Sequence, residues 1–195
     1  MKEVFAVSIK VDHVVDAKGL ACPMPVVKTK KMMDQIEAGQ VLLVEATDRG
    51  SLADMKGWAK NTGNQYLGSK EDGDVLFHYL RKSDDADTTE VAEFEPVAKN
   101  DDVKNKIGED GVTILDVREP AEYVFSRVPG AVSIPMGDLE DRLGELNKDD
   151  EIYVICRTGS RSNMASHTLK EQGFDKVYNV KPGMTEWDGP TEGEA

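Results

Sequence analysis

The chain has 195 residues, of which 39% are hydrophobic and 31% charged, and its net charge is -13. This composition is ordinary for a globular protein, and no apolar run approaches the roughly 18 residues that a membrane span needs. The negative charge argues against direct nucleic-acid binding, because phosphate contacts need clustered Lys and Arg. Residues 1–10 alternate polar and apolar side chains without a signal-peptide core, so we expect a cytoplasmic protein that does not enter a membrane.

Residues 1–82 predict a two-layer α/β sandwich with the element order βαβαββ. The apolar pattern changes twice from strand-like to helix-like, and a glycine follows each helical stretch. An acidic turn containing Gly73 joins the last two strands as a hairpin. The predicted strands are Val11–Val15, Val41–Ala46, Gln65–Lys70 and Val75–Leu80, and the predicted helices are Pro23–Glu37 and Ser51–Asn61.

The sequence contains two cysteines, Cys22 and Cys156, too far apart to form the repeated spacing of a disulfide framework or a zinc site. We therefore expect two free thiols and no metal. A cytosolic cysteine is usually structural, because a buried thiol packs like a small apolar side chain. The residues around each cysteine must supply any reason to expect chemistry there.

Cys22 precedes Pro23 and Pro25 at the predicted start of the first helix. Proline suits the first helical turn because no amide proton is needed there. The remaining amides and the helix dipole favour a negative sulfur, so we expect this position to lower the pKa of the Cys22 thiol. The alternative is that the prolines merely start a helix and Cys22 packs beneath it.

The residues around Cys22 resemble the signature of the SirA/TusA sulfur carriers. The signature segment here is Asp16-Ala17-Lys18-Gly19-Leu20-Ala21-Cys22-Pro23-Met24-Pro25. Thr47-Asp48-Arg49-Gly50-Ser51 and the helix after it resemble that family's middle segment, so the likeness covers about residues 11–82. The resemblance implies that Cys22 accepts sulfur as a persulfide and passes it to a partner protein.

Residues 83–97 are acidic, poor in large apolar side chains and without periodicity. We interpret them as an extended, solvated linker between domains 1–82 and 98–195, in preference to a specific docking segment. A flexible tether of about 15 residues would give the two cysteines an effective concentration of roughly millimolar order.

The second domain begins a new alternation of strands and helices. Val112–Val117 and Ile152–Ile155 are short β-branched runs of the kind buried in parallel sheets. Ser162–Gln172 has helical periodicity and is followed by Gly173. This alternation predicts a parallel sheet with helices on both faces.

Cys156 lies between a predicted strand and a predicted helix, at the start of the loop Cys156-Arg157-Thr158-Gly159-Ser160-Arg161. Such a loop can curl its backbone amides around the sulfur as an anion nest, supported by the helix N-terminus. The nest would hold a thiolate and spread the charge of a persulfide without a metal or a histidine base. The three histidines, His13, His78 and His167, fall in no motif and are interpreted as surface or hydrogen-bonded residues.

The Cys156 loop resembles the six-residue active-site loop of rhodaneses, and three further segments resemble that family. They are Leu115-Asp116-Val117-Arg118-Glu119-Pro120-Ala121-Glu122-Tyr123, Val128-Pro129-Gly130-Ala131-Val132-Ser133-Ile134-Pro135 and Val180-Lys181-Pro182-Gly183-Met184-Thr185-Glu186-Trp187. The likeness covers about residues 98–190 and implies a rhodanese-like domain with sulfurtransferase activity at Cys156. Arg127 departs from the pattern, because a histidine is common at that position in the family.

We interpret Asp116 and Arg118 as a buried ion pair that supports the loop, and Arg157 and Arg161 as residues that bind an anionic donor, aided by Thr158, Gly159 and Ser160. A phosphatase would need Cys-x5-Arg, with the arginine at position 162. That position is Ser162, and the arginine falls one residue earlier, so we disfavour phosphatase activity.

The sequence therefore predicts a sulfurtransferase. Cys156 would take a sulfane sulfur from thiosulfate, polysulfide or a small persulfide, and Cys22 would relay it to an acceptor protein. The only intermediate would be a covalent cysteine persulfide, so no cofactor is expected. Three alternatives stay open: a non-catalytic carrier loaded by a separate desulfurase, a dithiol redox protein, and regulation through partner binding.

Overall fold

The computed structural model describes residues 9–83 and 92–194. The chain divides into two compact units that are separated in sequence near residue 84. Each unit is an α/β domain with its own buried core. Among the described residues, no helix combines the length and the apolar character that crossing a bilayer requires.

The first unit has the predicted order βαβαββ. Its strands are β1 (His13–Ala17), β2 (Val41–Ala46), β3 (Gln65–Asp72) and β4 (Val75–Arg81), and its helices are α1 (Met24–Met33) and α2 (Ser51–Thr62). The sheet order is β1-β2-β4-β3, in which β1 and β2 are parallel and the other two pairs antiparallel. Both helices pack their apolar sides on this sheet, as a two-layer sandwich requires.

Helix α1 ends four residues before its predicted end. After Met33 the backbone tightens, because the amides of Gln35 and Ile36 both donate to the carbonyl of Met32. The amide of Glu37 then donates to the side chain of Gln40 at 2.8 Å instead of continuing the helical ladder. A local side-chain hydrogen bond of this kind competes with the helix and stops it.

The second unit contains a parallel sheet with helices on both faces, as predicted. Its strands are β5 (Val97–Lys99), β6 (Val112–Asp116), β7 (Val132–Ser133), β8 (Glu151–Ile155) and β9 (Val177–Lys181), in the order β5-β9-β8-β6-β7. Its helices are α3 (Asn100–Lys104), α4 (Pro120–Phe125), α5 (Leu139–Arg142) and α6 (Ser160–Glu171). One apolar cluster lies under α5 and α6, and the other lies under α3 and α4.

The C-terminal part of the predicted linker packs on the second unit. Phe94 is only 6% exposed and belongs to the core beneath α6. Val97 is the first residue of β5, at one edge of the sheet. Residues 92–97 are therefore part of the second unit, and the middle of the predicted linker, 84–91, lies outside the described residues.

Candidate functional site

Cys156 lies at the carboxyl end of the central part of the parallel sheet, directly after β8 and just before α6. Its side chain is 1% exposed, and its sulfur accepts a hydrogen bond from the Gly159 amide at 3.1 Å. Gly159 has a φ of 101° and starts the helix from the left-handed region, which glycine adopts most easily. The loop thus curls back over the sulfur and brings the positive end of α6 to it.

A turn after β9 holds the Cys156 loop from the side. The Met184 amide donates to the Cys156 carbonyl, and the Thr185 amide donates to the Arg157 carbonyl, both at 2.9 Å. Gly183 packs so closely here that a Cβ atom would lie 2.6 Å from the Cys156 carbonyl oxygen. The sequence identified this turn only by its resemblance to the rhodanese family. In the structure, its contacts hold the backbone of the Cys156 loop in place.

Asp116 and Arg118 form the expected buried ion pair at the end of β6. The guanidinium donates from Nε to Asp116 Oδ1 at 2.9 Å and from Nη2 to Oδ2 at 2.6 Å. Nη2 also donates to the Ser126 carbonyl at 2.6 Å, which ties the end of β6 to the chain after α4. Both side chains are at most 5% exposed, so this pair supports the site and presents no free charge to a substrate.

The predicted role of Arg161 in binding the donor does not fit the structure, because its guanidinium is turned inward. Nη1 and Nη2 donate to the two carboxylate oxygens of Glu122 at 2.8 and 3.1 Å, and both side chains are at most 3% exposed. Glu122 lies on α4 and also accepts from the Glu119 amide at 3.1 Å. Glu122 lies in the first segment that resembles the rhodanese family, but the sequence alone assigned it no role.

The inward position of Arg161 also bears on the rival phosphatase interpretation. A phosphatase arginine must close around a tetrahedral oxyanion, whereas Arg161 is paired with Glu122 and is 3% exposed. Arg157 is the arginine of the loop that remains half-buried, and it forms no ion pair with the described residues. It is therefore the cation of this loop that an anionic donor could meet, together with exposed Thr158 and half-exposed Ser160.

A buried amide cluster fixes the first turn of α6, and sequence reasoning missed it. Ser162 Oγ donates to Asn179 Oδ1 at 2.7 Å, and Asn179 Nδ2 donates to Asn163 Oδ1 at 3.3 Å. Asn163 accepts from the Phe94 amide at 2.8 Å and donates to the Ala92 carbonyl at 3.0 Å. This network binds the segment before β5 to the helix that carries the active-site loop.

Arg127, the departure from the rhodanese pattern, contacts the C-terminal segment. Its backbone pairs with Glu192 in both directions at 2.8 and 2.9 Å, and its side chain reaches the Glu192 carboxylate at 3.5 Å. Its guanidinium also lies 5.0 Å from the centre of the Tyr123 ring. Arg127 thus packs between Tyr123 and the C-terminal segment.

Cys22 is exposed and precedes α1, with Pro23 at the N-cap position and Pro25 in the first turn. Its amide donates to Asp48 Oδ2 at 2.8 Å, and its thiol donates to Asp54 Oδ2 at 2.7 Å. Asp48 also accepts from the Gly50 amide at 3.1 Å, so this residue joins the Cys22 loop to the start of α2.

The pKa of the Cys22 thiol is raised, and the prediction of a lowered value is wrong. The main cause is the hydrogen bond to Asp54, with burial and the charges of Asp54 and Asp48 acting in the same direction. The helix start was visible in the sequence, but the two carboxylates come from residues 26 and 32 positions away. The signal that the sequence did contain was an acidic residue, Asp54, in the first turn of the next helix.

The three histidines all have hydrogen-bond partners. His13 contacts the Gln40 side chain at 3.1 Å, and His167 contacts the Ala92 carbonyl at 3.0 Å. His78 is fully buried between Ser51 and Tyr66, both at 2.9 Å. Burial lowers the pKa of His78 to about 4, aided by the charge of Lys56. Within the described residues, no group of three His, Cys, Asp or Glu side chains could hold a metal ion.

Comparisons with known proteins match each half of the chain to a family. Residues 13–82 match the family described as sulfurtransferase TusA, and residues 99–189 match the rhodanese-like domain family. "Putative sulfur carrier protein YrkF" of Bacillus subtilis is 51% identical over 185 residues, 94% of this chain and 100% of that protein. "Putative sulfurtransferase YtwF" of the same organism is 42% identical, over 46% of this chain and 87% of its own. "Sulfur carrier protein TusA" of Allochromatium vinosum is 48% identical over 36% of this chain and 92% of its own.

The fold and these matches together define a sulfur carrier protein of the sulfurtransferase class. Both resemblances seen in the sequence are thereby confirmed. More particularly, the chain belongs to the family of YrkF, which it matches over the whole length of that protein, and it joins a TusA domain to a rhodanese-like domain.

Proposed function

We propose that Cys156 takes a sulfane sulfur from thiosulfate, polysulfide or a small persulfide and holds it as a persulfide. With thiosulfate, the Cys156 thiolate attacks the outer sulfur, the sulfur–sulfur bond of thiosulfate breaks, and sulfite leaves. The reactants are a thiolate and the thiosulfate dianion, and the products are a persulfide anion and the sulfite dianion, so the charge balances. No metal or cofactor takes part in this step.

The observation that supports this proposal most directly is the hydrogen bond from the Gly159 amide to Cys156 Sγ at 3.1 Å. A main-chain donor at the start of α6 favours negative charge on the sulfur and on the sulfur added to it. The buried carboxylates Asp116 and Glu122 are paired with Arg118 and Arg161, which leaves Arg157 as the arginine of the loop that can attract an anionic donor.

We further propose that Cys22 receives the sulfur from Cys156 and passes it to an acceptor protein. Cys22 is exposed at the start of α1, as a sulfur that must reach a second protein has to be. Because both domains belong to one chain, the first handover is intramolecular and does not depend on protein concentration.

Intact mass spectrometry after thiosulfate treatment tests both steps. We expect wild type and Cys22→Ser to gain sulfur on Cys156, and Cys156→Ser to gain none on Cys22. Rapid loading of Cys22 without Cys156 would overturn the proposed order. If thiosulfate and cyanide gave no thiocyanate in the presence of the protein, the result would instead favour a non-catalytic carrier loaded by a separate desulfurase.

The same samples test the dithiol redox alternative. After mild oxidation, a reversible disulfide between Cys22 and Cys156 would remove both thiols from alkylation and restore both on reduction. We expect both cysteines to remain alkylatable, or to carry added sulfur, since the described structure has each of them as a free thiol.

A further inference from the structure

Cys22 lies against two carboxylates that have no basic partner among the residues the structure describes. Asp54 accepts from the Cys22 thiol at 2.7 Å, and Asp48 accepts from the Cys22 amide at 2.8 Å. Both aspartates are half-buried. Partial burial keeps their charges less screened than those of surface carboxylates.

Other charged side chains lie in the neighbouring segments. Lys18 pairs with Asp16 and Glu45, Arg49 pairs with Glu71, and Lys28 donates to the Asp16 carbonyl. Asp48 and Asp54 differ from these groups because they accept hydrogen bonds from Cys22 itself, so their charges act most directly on its sulfur. The pKa of the Cys22 thiol is raised chiefly by the hydrogen bond to Asp54, and burial and the charges of Asp54 and Asp48 act in the same direction.

The Cys156 loop has the opposite arrangement. Two buried acids beside it, Asp116 and Glu122, are paired with Arg118 and Arg161, and its sulfur receives a main-chain amide. A small anion is therefore attracted to one cysteine and repelled from the other. A single unit charge close to the reacting atom changes the rate of an approaching anion by about fivefold even in water.

We propose that Asp48 and Asp54 make Cys22 selective against small anionic sulfur donors, so that it accepts sulfur from a persulfide carried by a protein cysteine. This proposal rests on the proposed function of Cys22 as a persulfide acceptor. Thiosulfate brings two negative charges to the carboxylates, whereas a persulfide on a protein cysteine brings at most one. The two aspartates are thus specificity-determining residues.

The favoured transfer balances without an oxidant or reductant. The outer sulfur of a donor R–S–S–H bonds to Cys22 Sγ while the donor sulfur–sulfur bond breaks. One proton leaves the Cys22 thiol, and one ends on the departing donor sulfur as R–S–H. The products are a donor thiol and a Cys22 persulfide.

Alkylation with a neutral and an anionic reagent measures the field directly. In a Cys156→Ser background, Cys22 is the only thiol, and its rates with iodoacetamide and with iodoacetate are compared. Both reagents consume the same thiolate, so a change in thiol acidity cancels in the ratio of the two rates. The ratio then reports only the charge that the anionic reagent meets.

We expect Asp54→Asn to raise the iodoacetate rate relative to iodoacetamide about fivefold, and Asp48→Asn with Asp54→Asn to raise it further. Asp34→Asn is the matched control, because it removes one exposed carboxylate from the end of α1, outside the Cys22 contacts. A ratio that is the same in the double variant and in the control would overturn the proposal.

Salt dependence tests the same field without any aspartate substitution. In the Cys156→Ser protein, raising the ionic strength from low to high should speed iodoacetate selectively, because salt screens the repulsion that an approaching anion meets, most strongly beyond the Debye length of about 10 Å at 0.1 M. No selective change would count against a negative site at Cys22, even if the aspartate variants fold poorly.

Thiosulfate loading of Cys22 then tests whether the charges of Asp48 and Asp54 also control sulfur transfer. We expect Cys22 in the Cys156→Ser background to remain unloaded, and to gain sulfur from thiosulfate once Asp48 and Asp54 are both replaced by Asn. Loading with the aspartates intact would overturn the selectivity. If neither a protein persulfide nor a small donor loads Cys22, the proposed carrier function fails. The ratio of the iodoacetate and iodoacetamide rates would still show whether the two carboxylates repel an anion.

Discussion

Arg161 and Glu122 form a two-point ion pair across 39 residues of sequence, with nitrogen–oxygen distances of 2.8 and 3.1 Å. Arg161 belongs to the first turn of α6, directly after the Cys156 loop, and Glu122 belongs to α4. The pair thus fixes the helix whose N-terminus faces the Cys156 sulfur, so we expect it to position the loop.

Replacing Glu122 with Gln should therefore cost both stability and activity. Breaking one side of a buried ion pair leaves an uncompensated charge and destabilises a protein by about 3–5 kcal/mol. We expect the unfolding free energy of the second domain to fall by about this amount in urea titrations, and the thiosulfate:cyanide activity to fall at least tenfold at a temperature where the domain stays folded.

Glu145→Gln is the matched control for this change. Glu145 forms a two-point pair with Arg142 at 2.7 and 2.8 Å, but that pair lies on the surface. Exposed pairs add little to stability, so neither stability nor activity should change measurably. Equal effects at Glu122 and Glu145 would contradict the assigned role of the buried pair.

Gly183→Ala should disturb the Cys156 loop through a steric clash. The added Cβ atom would lie 2.6 Å from the Cys156 carbonyl oxygen and 3.0 Å from the Arg157 carbonyl oxygen. Because backbone atoms cannot move aside as a side chain can, the loop must shift, and we expect sulfur transfer to fall at least tenfold. Steady-state kinetics with thiosulfate and cyanide would measure the loss.

Gly108→Ala separates this clash from backbone strain. Gly108 has a φ of 79°, against 80° at Gly183, but a Cβ there meets nothing within 4 Å. Both substitutions carry the left-handed penalty of about 1–2 kcal/mol, and only the change at Gly183 adds the contact with the loop. Retained activity in Gly108→Ala beside lost activity in Gly183→Ala is the expected pattern.

Arg157→Ala should weaken binding of an anionic donor without unfolding the domain. Arg157 is half-buried and has no ion-pair partner among the described residues, so its loss breaks no buried pair. We expect KM for thiosulfate to rise about tenfold, consistent with a charge-assisted hydrogen bond of about 1.5–3 kcal/mol, and KM for an uncharged donor such as a dialkyl trisulfide to change little. An equal rise for both donors would indicate a structural role for Arg157.

The alternation of strands and helices could be predicted because it depends on local patterns. The β-branched run Ile152–Ile155 indicated a buried strand, and glycine after the helical stretch Ser51–Asn61 marked the end of α2, which the structure has one residue later at Thr62. The end of α1 was misplaced, because a side-chain contact from Gln40 decides it. Fold class follows from periodicity, whereas exact ends depend on single hydrogen bonds.

The electrostatics of the two sites could not be predicted from the same local patterns. A helix start is visible in sequence at both cysteines, but the sign of the potential depends on residues brought in by the fold. Glu122 neutralises Arg161 at one site, and Asp54 adds negative charge at the other. Cys22 and Cys156 therefore have similar sequence surroundings and different hydrogen-bond partners.

His78 should make the first domain acid-sensitive between about pH 6.5 and pH 4. Its pKa is lowered from 6.5 to about 4, chiefly by burial, so the unfolded chain binds a proton in this range that the folded chain excludes. The stabilisation is therefore complete above pH 6.5 and is lost as the pH falls toward 4. His78→Gln should show a flatter decline in this window, although its stability at neutral pH is lower because the contacts to Ser51 and Tyr66 are altered.

Trp58 fluorescence in a Trp187→Phe background would follow this domain alone, since Trp58 packs against the core of the first domain and Trp187 against a core of the second. His13→Gln, in the same domain, is the control. His13 is partly exposed and hydrogen-bonds to the side chain of Gln40, so its variant should keep the full acid-dependent loss. If His78→Gln lost stability between pH 6.5 and pH 4 as steeply as His13→Gln, the acid response would have to come from the carboxylates of the domain and not from the buried imidazole.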